Sequence, residues 1–282
     1  MNSSGAIPDV TIVVVAHSER DDLERCFASI REHAEVRIQT VLVDNASTDD
    51  TVSWVGANHP EVEIVELPEN IGVAARPHGL ERAHAPLTMF LDSDAELTAG
   101  ALPAMLQAFE RNPGWGLIGP RLIDGDGELQ LSSRRFPPRT LPLVRRPPLS
   151  WFLDDSRMVR HHLMTDIDHT RARPVLYVLG ACQIFRSALA RQAGPFPDSI
   201  FLGTDDIEWC IQIRDAGGEV VYFPDATVIH RYKRRSAASP VSRVALRHLR
   251  SFAAFQWEYR KRRKELIALQ DELDRSYGED PP

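Results

Sequence analysis

Three Asp-x-Asp pairs punctuate the sequence: Asp92/Asp94, Asp124/Asp126 and Asp166/Asp168. The pattern alone carries nothing, because 22 aspartates among 282 residues make one or two such pairs expected by chance. Context separates them. Asp124/Asp126 lies among glycines (DGDG) and reads as a turn, and Asp166/Asp168 falls in an irregular polar stretch. Only Asp92/Asp94 closes a continuous apolar run, LTMFL, so that both carboxylates project from the end of a buried strand. Two carboxylates held together repel unless a cation joins them, and oxygen ligands favour Mg2+ or Mn2+. A second acidic cluster, Asp205-Asp206-Ile207-Glu208, opens a helical stretch behind Phe201-Leu202-Gly203. It reads either as an ordinary acidic first turn favoured by the helix dipole or as a site loop on a rigid element. His230 ends the apolar piece PDATVIH, where a histidine by itself reads as structural.

Elements that would position these groups follow from the apolar pattern. Val10–Ala16 is a β-branched run suited to a strand buried on both faces. Ser18 with Asp21 resembles a capping box, predicting a helix to about His33. Strands are expected at 39–43, ending at Asp44, at 62–67 and at 87–91, with helices starting near Asp49 and after Asn70-Ile71-Gly72. This βαβαβαβ order calls for a parallel sheet with right-handed crossovers, whose ligands sit beyond the carboxyl ends of the strands. Asp44, Asn70 and Asp92 all fall there. The second half predicts a helix over 101–111, a buried strand over 175–185, a helix over 205–216, and short strands at 219–223 and 227–230. The stretch 137–174, rich in Pro, Arg and His, reads as an insertion or a mobile loop over a cleft. From Pro240 onward one long helix is expected, with Val241, Val244/Ala245, Leu249 and Phe252 on one face.

Composition bounds the class. With 43% apolar and 26% charged residues the chain can bury a sizeable core, and no apolar run approaches the length of a membrane span. The start, MNSSGAIPDV, lacks the pattern of a signal peptide, so a cytoplasmic enzyme is expected. Cys26, Cys182 and Cys210 are odd in number and widely spaced, which speaks against a disulfide framework or a zinc site. The net charge of −7 hides an asymmetry: residues 231–264 carry twelve Lys and Arg against one acid, Glu258, leaving −18 for the remainder. One basic surface that meets something anionic is implied, whereas a whole-protein nucleic-acid partner is disfavoured. That tail is expected either to fold back on the core, to pair two copies, or to lie on anionic lipid at the inner face of a membrane, with Arg134, Arg135, Arg139, Arg145 and Arg146 extending it.

Together the segments VVVAHSERDDLERCFASI, VLVDNASTDDTV, ENIG, MFLDSDAEL, GPRLIDGDGELQLSSRRFP, VLGACQIFRS and FLGTDDIEWCIQIRDAGGEVVYFPDATVIH resemble the inverting glycosyltransferases of family 2, rhamnosyltransferase-like and galactofuranosyltransferase-like branch, over residues 10–232. The resemblance implies an α/β GT-A (Rossmann-like) fold with a mostly parallel central sheet flanked by helices and a C-terminal helical extension. It divides the chain into a nucleotide-sugar-binding half (1–98), an acceptor-binding and catalytic half (99–235) and a basic helical tail (236–282). It implies Asp206 as general base beside Asp205 and Glu208, and Asp94, His230 and Asp92 around Mg2+ or Mn2+. Ala16, Ser18, Glu19, Asp44, Asn45, Asn70, Gly72, Arg76, Asp92 and Ser93 would face the donor, with Asp44 on a pyrimidine base. Gly180, Ala181, Glu208 and Trp209 would face the acceptor. The expected donor is a UDP- or dTDP-sugar and the acceptor a glycan, a lipid-linked or a small-molecule hydroxyl. Two departures bear on the donor sugar: His17-Ser18 replaces the family's common Tyr-Asn, and Pro77 stands where an Asn is common.

Two other classes compete. A nucleotidyltransferase also binds nucleotide on an α/β sheet but carries a Gly-rich, basic loop after its first strand, which VVVAHSERDD lacks. A degenerate member would bind nucleotide sugar, or scaffold a partner, without turnover; it would need no base.

Overall fold

The computed structural model describes residues 7–33, 35–147, 149–194, 203–231 and 243–277. Phe201, Leu202, Val241 and the basic residues 233–235 lie outside the described residues, as do the side chains of Val244 and Ala245. The order opens β1 (Val10–Ala16), α1 (Arg20–Glu32), β2 (Ile38–Asp44), α2 (Thr51–Asn58), β3 (Glu63–Glu66), a 3-10 turn at Gly72–Ala75, α3 (Arg76–Leu80) and β4 (Leu87–Asp92). It continues with β5 (Ala95–Leu97), α4 (Ala101–Arg111), β6 (Trp115–Ile123), β7 (Leu129–Gln130) and β8 (Ser133–Arg134). Short helices α5 (Leu141–Val144), α6 (Ser150–Leu153) and α7 (Arg157–His162) follow. Then come β9 (Arg173–Pro174), β10 (Tyr177–Val178), β11 (Cys182–Arg186), α8 (Ser187–Ala193), α9 (Asp205–Asp215), β12 (Glu219–His230), α10 (Arg243–Glu258) and α11 (Arg263–Tyr277).

One sheet runs β3-β2-β1-β4-β11-β6-β12-β5. Its first four strands are parallel, β11 is antiparallel to both neighbours, and β12 returns parallel to β6. Strand residues alternate between two cores, as burial on both faces requires. Val10, Ile12 and Val14 face Leu23, Phe27, Leu102 and Met105, whereas Val13, Val41 and Phe90 face Phe185, Trp209 and Ile211. All three cysteines are free and buried. Among the described residues no helix is long and apolar enough to cross a membrane.

Several local expectations need correction. Ser18 does not cap α1: it adopts φ +56, its hydroxyl accepts from the Thr48 amide at 3.0 Å, and the helix opens behind Glu19 with no side-chain cap. The run 175–185 is two short strands, because Leu179-Gly180-Ala181 breaks it where it meets the site. The pieces 219–223 and 227–230 are one strand with a register shift between Phe223 and Thr227. The stretch 137–174 is not a bare loop: it contains the short helices α5, α6 and α7. The tail is two helices joined at 259–262, and it folds back: Phe255 is 1% exposed against Phe136, and the Gln270 side chain accepts from the Phe136 amide at 2.5 Å.

Candidate active site

Register places three site residues at one edge. Ala16 pairs with Asp44 and Val15 with Asp92, so β1, β2 and β4 end side by side with their carboxyl ends on the same rim. Asp92 is locked there from behind, its amide donating to the Ala181 carbonyl at 2.9 Å.

The metal-type cluster forms through β5 and β12. These pair antiparallel with His230 opposite Ala95, and the Arg231 amide donates to the Asp94 carbonyl, so His230 lies next to Asp94. Asp92, Asp94 and His230 offer ligand atoms within 4.8 Å of one another, with His230 Nε2 at 3.5 Å from Asp94 Oδ1. Burial pushes Asp92 above the usual carboxylate range, and Asp94 beside it adds to the effect, although Arg76 and His230 oppose it. Burial alone would discharge His230, yet Asp94 and Asp92 raise its pKa above the ordinary value. Two carboxylate oxygens and one imidazole nitrogen this close together form a donor set that fits a divalent cation such as Mg2+ or Mn2+.

A residue that the sequence reading did not single out sets the imidazole. Gln130 Nε2 donates to the His230 carbonyl at 2.8 Å, which turns its Oε1 toward His230 Nδ1, also at 2.8 Å. Nδ1 therefore donates to Gln130, and Nε2 is the ring nitrogen left facing Asp94, the one that would give its lone pair to a cation. The DGDG turn makes this contact: Asp124 accepts from the Asp126 and Glu128 amides, closing the β6–β7 hairpin that pairs Leu122 with Gln130. No local motif around Gln130 announces that role.

Arg76 ties this cluster to the second acidic one. Its guanidinium donates to Asp92 Oδ1 at 2.8 Å, to Asp205 Oδ2 at 2.7 Å and to the Gly180 carbonyl at 3.1 Å, with the side chain only 7% exposed. A Cβ on Gly180 would stand 3.0 Å from Arg76 Nη1, so the break in the β10–β11 run gives the guanidinium its room. Pro77 falls in the first turn of α3, where a missing N–H removes no helical bond, so the unusual Arg-Pro sequence still delivers the arginine.

At the start of α9, Asp205 also accepts from the Gly203 amide at 3.1 Å. Gly203 has φ +93 and its Cα backs onto His248 of α10, where a Cβ would stand 2.3 Å from the ring. Burial, then the neighbouring Asp205, pushes Asp206 up to about 7. Glu208, 2% exposed, is pushed up to about 8 chiefly by burial and then by Asp205, against a Thr204 hydroxyl bond of 3.4 Å that lowers it. Trp209 is 1% exposed, its ring centroid 5.1 Å from that of Phe185 and 5.6 Å from that of Phe90, so it supports α9 from inside the core.

On the donor side, Asp44 Oδ2 accepts from the Ser47 amide at 3.0 Å, while Asp44 Oδ1 is buried with no partner. Asn45 is committed to the chain: its amide donates to Asn70 Oδ1 and to the Gly72 carbonyl and accepts from the Ile71 amide, and Asn70 accepts from Gly72. This holds the 70–72 turn beside Asp44. Ser93 donates to Glu19, bridging the β4 end to the start of α1. The other Asp pair is structural: Asp166 pairs with Arg135 at 2.6 Å, and Asp168 closes a turn on Thr170.

The Glycosyl transferase family 2 model matches residues 11–192. The chain belongs to this family. N-acetylglucosaminyl-diphospho-decaprenol L-rhamnosyltransferase of Mycobacterium tuberculosis is 26% identical over 84% of this chain and 80% of its own length. Among solved structures, GalNAc-T7 with UDP, GalNAc and Mn2+ aligns at TM-score 0.63 and 15% identity, over 96% of this chain and 55% of that one. A mannosyltransferase from Pyrobaculum calidifontis, in complex with GDP-Man and Mn2+, aligns at TM-score 0.57 and 20% identity, over 95% and 81%. The expected GT-A α/β fold is thus the one this family 2 glycosyltransferase has.

Proposed function

We propose that this glycosyltransferase moves a sugar, with inversion, from a UDP- or dTDP-sugar to an acceptor hydroxyl in a reaction that depends on Mg2+ or Mn2+. The observation that carries the reading is the single guanidinium of Arg76, which joins the Asp92/Asp94/His230 cluster to the Asp205/Asp206 pair. An electrophile-activating end and a proton-accepting end are thereby held in one frame. The orphaned Asp44 Oδ1 supports a pyrimidine partner, whose ring N3–H would satisfy it. Asp92, Asp94 and His230 would hold the cation, which when bound offsets the charge of the departing diphosphate.

Asp206 takes the proton of the attacking hydroxyl. Its pKa of about 7 suits a general base, a role that contributes roughly 10²–10⁴-fold. Arg76 holds Asp205 in place beside it through a 2.7 Å ion pair, and Glu208 backs the acceptor side. The lipid-linked acceptor of the mycobacterial relative makes a polyprenyl-diphosphate-linked sugar the acceptor of choice for this chain.

Thermal melting with UDP, dTDP and GDP, each with Mn2+ or with EDTA, tests the donor half. At about 100 times its Kd a nucleotide stabilises by about 2.7 kcal/mol, raising the midpoint several degrees. UDP or dTDP is expected to give that shift only with the metal; GDP alone shifting the midpoint would overturn the pyrimidine assignment.

A further inference from the structure

Among the described residues eight large apolar side chains are exposed, and Leu143, Leu149, Trp151, Phe152 and Leu153 cluster within 143–153. Trp151 is 74% exposed and Phe152 81%. Single exposed leucines are ordinary, but a cluster crowned by two aromatics marks a contact surface. The segment is anchored rather than loose: Pro142 and Val144 are buried beneath it. Its charge is basic, with Arg139, Arg145, Arg146, Arg157 and Arg160 against Asp154 and Asp155. Arg145 reaches Asp154 at 3.3 Å and Arg160 reaches Asp155 at 3.6 Å, which leaves a net positive rim around an apolar centre.

Position ties this surface to the base end of the site. The His162 ring of α7, at the end of the same segment, lies 6.4 Å from that of Tyr177 on β10, and β10 packs against α9. The basic tail, by contrast, has turned its apolar side inward: Phe252, Phe255 and Leu266 are buried. Of the large apolar side chains described in α10–α11 only Leu246 and Trp257 remain exposed, against five clustered within 143–153, so the denser apolar surface is that of α5–α6.

We propose that the α5–α6 segment is the edge by which the enzyme rests on an anionic bilayer. Trp151 and Phe152 enter the boundary between headgroups and acyl chains, and Arg139, Arg145 and Arg146 meet lipid phosphates. Charge complementarity selects this occupant: a chain of net charge −7 is repelled by an anionic surface except where a basic rim surrounds the apolar contact. Aromatic side chains with an arginine rim on single-turn helices fit a headgroup layer better than a groove-binding peptide. The orientation sets the Asp205–Asp206 end beside the membrane, where a lipid-diphosphate-linked acceptor would be presented; that last clause rests on the function proposed above.

Vesicle cosedimentation of the whole protein tests it, with phosphatidylglycerol-containing vesicles against phosphatidylcholine alone at low salt. The protein is expected to bind the anionic vesicles, and Trp151→Ser with Phe152→Ser to weaken that partition roughly tenfold or more. Arg247→Glu with Arg250→Glu, on α10, is expected to weaken it less. Absence of binding by the unaltered protein, equal binding by the aromatic double variant, or a larger loss from the α10 variant overturns the proposal. So does a shift from dimer to monomer in the aromatic variant by light scattering, which would make the patch a self-interface. The melting shift with nucleotide and Mn2+ is read in parallel and is expected to be unchanged in the aromatic variant. Vesicle binding without any nucleotide shift in the unaltered protein would sink the donor assignment and leave the docking surface standing.

Discussion

At the residue scale, the imidazole of His230 is worth following, because a ligand histidine is only as good as its tautomer. Gln130 supplies the acceptor at Nδ1 and is itself oriented by the His230 carbonyl. Gln130→Leu removes that acceptor at similar volume and frees the ring to protonate at Nε2 or to rotate. Mn2+ affinity measured by calorimetry in the absence of donor is expected to fall about 10–100-fold. An unchanged affinity would mean that His230 is not a ligand or that its tautomer is set elsewhere. Arg76 raises a separate question of charge. Arg76→Met leaves the buried Asp205 without its cation, a loss that costs about 3–5 kcal/mol, whereas Asp92, 38% exposed, is partly screened by solvent. Arg76→Lys restores the charge but cannot fork to both carboxylates and the Gly180 carbonyl at once. Urea denaturation is expected to rank the lysine variant between the wild type and the methionine variant, with donor turnover depressed in both. A methionine variant as stable as the wild type would show that the two carboxylates are not held by this guanidinium.

Elements were legible from the sequence in proportion to how local their causes are. The β-branched run at 10–16, the acidic closure of β4 and the 205–216 helix announce themselves within a dozen residues, and Asp92 and Asp94 could be picked out from them as a candidate cation site. Asp206, within its acidic cluster, was singled out only by the resemblance. His230 needed a resemblance, because its place beside Asp94 comes from β5–β12 register across more than a hundred residues. Gln130 was invisible for the same reason. Ser18 has the letters of a cap, but Thr48 and Ser47 from the β2–α2 loop claim its hydroxyl and amide first. The break at 179–181 depends on room for Arg76, and the folding back of the tail depends on the shelf at Phe136, so neither leaves a local trace. Of the tail's expected apolar face Phe252 is buried, while Val241 and the side chains of Val244 and Ala245 lie outside the described residues; of the alternatives expected for the tail, folding back on the core is the one seen. That assignment is testable: Phe255, 1% exposed among Phe136, Phe252 and Tyr259, should cost about 3–5 kcal/mol on change to alanine. Trp257, two residues on and 67% exposed, should cost at most about 0.5 kcal/mol. Equal losses in urea melts would place the tail's packing on the other face.

At the scale of the whole molecule, the site is assembled at the expense of stability, and pH exposes this. Burial holds Asp206 near 7 and Glu208 near 8 in the folded chain, while both titrate at about 4 when unfolded. A carboxyl with the higher pKa in the folded state keeps its proton there after the unfolded chain has lost it. Between about pH 4 and about pH 7–8 the folded state therefore binds more protons, and the stability these two groups contribute declines as pH rises through that window. Paired acids such as Asp166, whose pKa lies below the ordinary value, act in the opposite sense and only under more acidic conditions. Asp206→Asn fixes the uncharged form. Its melting midpoint, measured without metal, is expected to match that of the wild type near pH 4 and to exceed it progressively up to about pH 8. Transfer in the same variant should fall by roughly 10²–10⁴-fold with the nucleotide shift retained. A midpoint difference that stays constant with pH would mean that Asp206 is an ordinary solvated carboxylate, and the general-base assignment would fall with it. A difference that grows as described would show the carboxylate already desolvated before substrate arrives, poised to be relieved by the acceptor's proton.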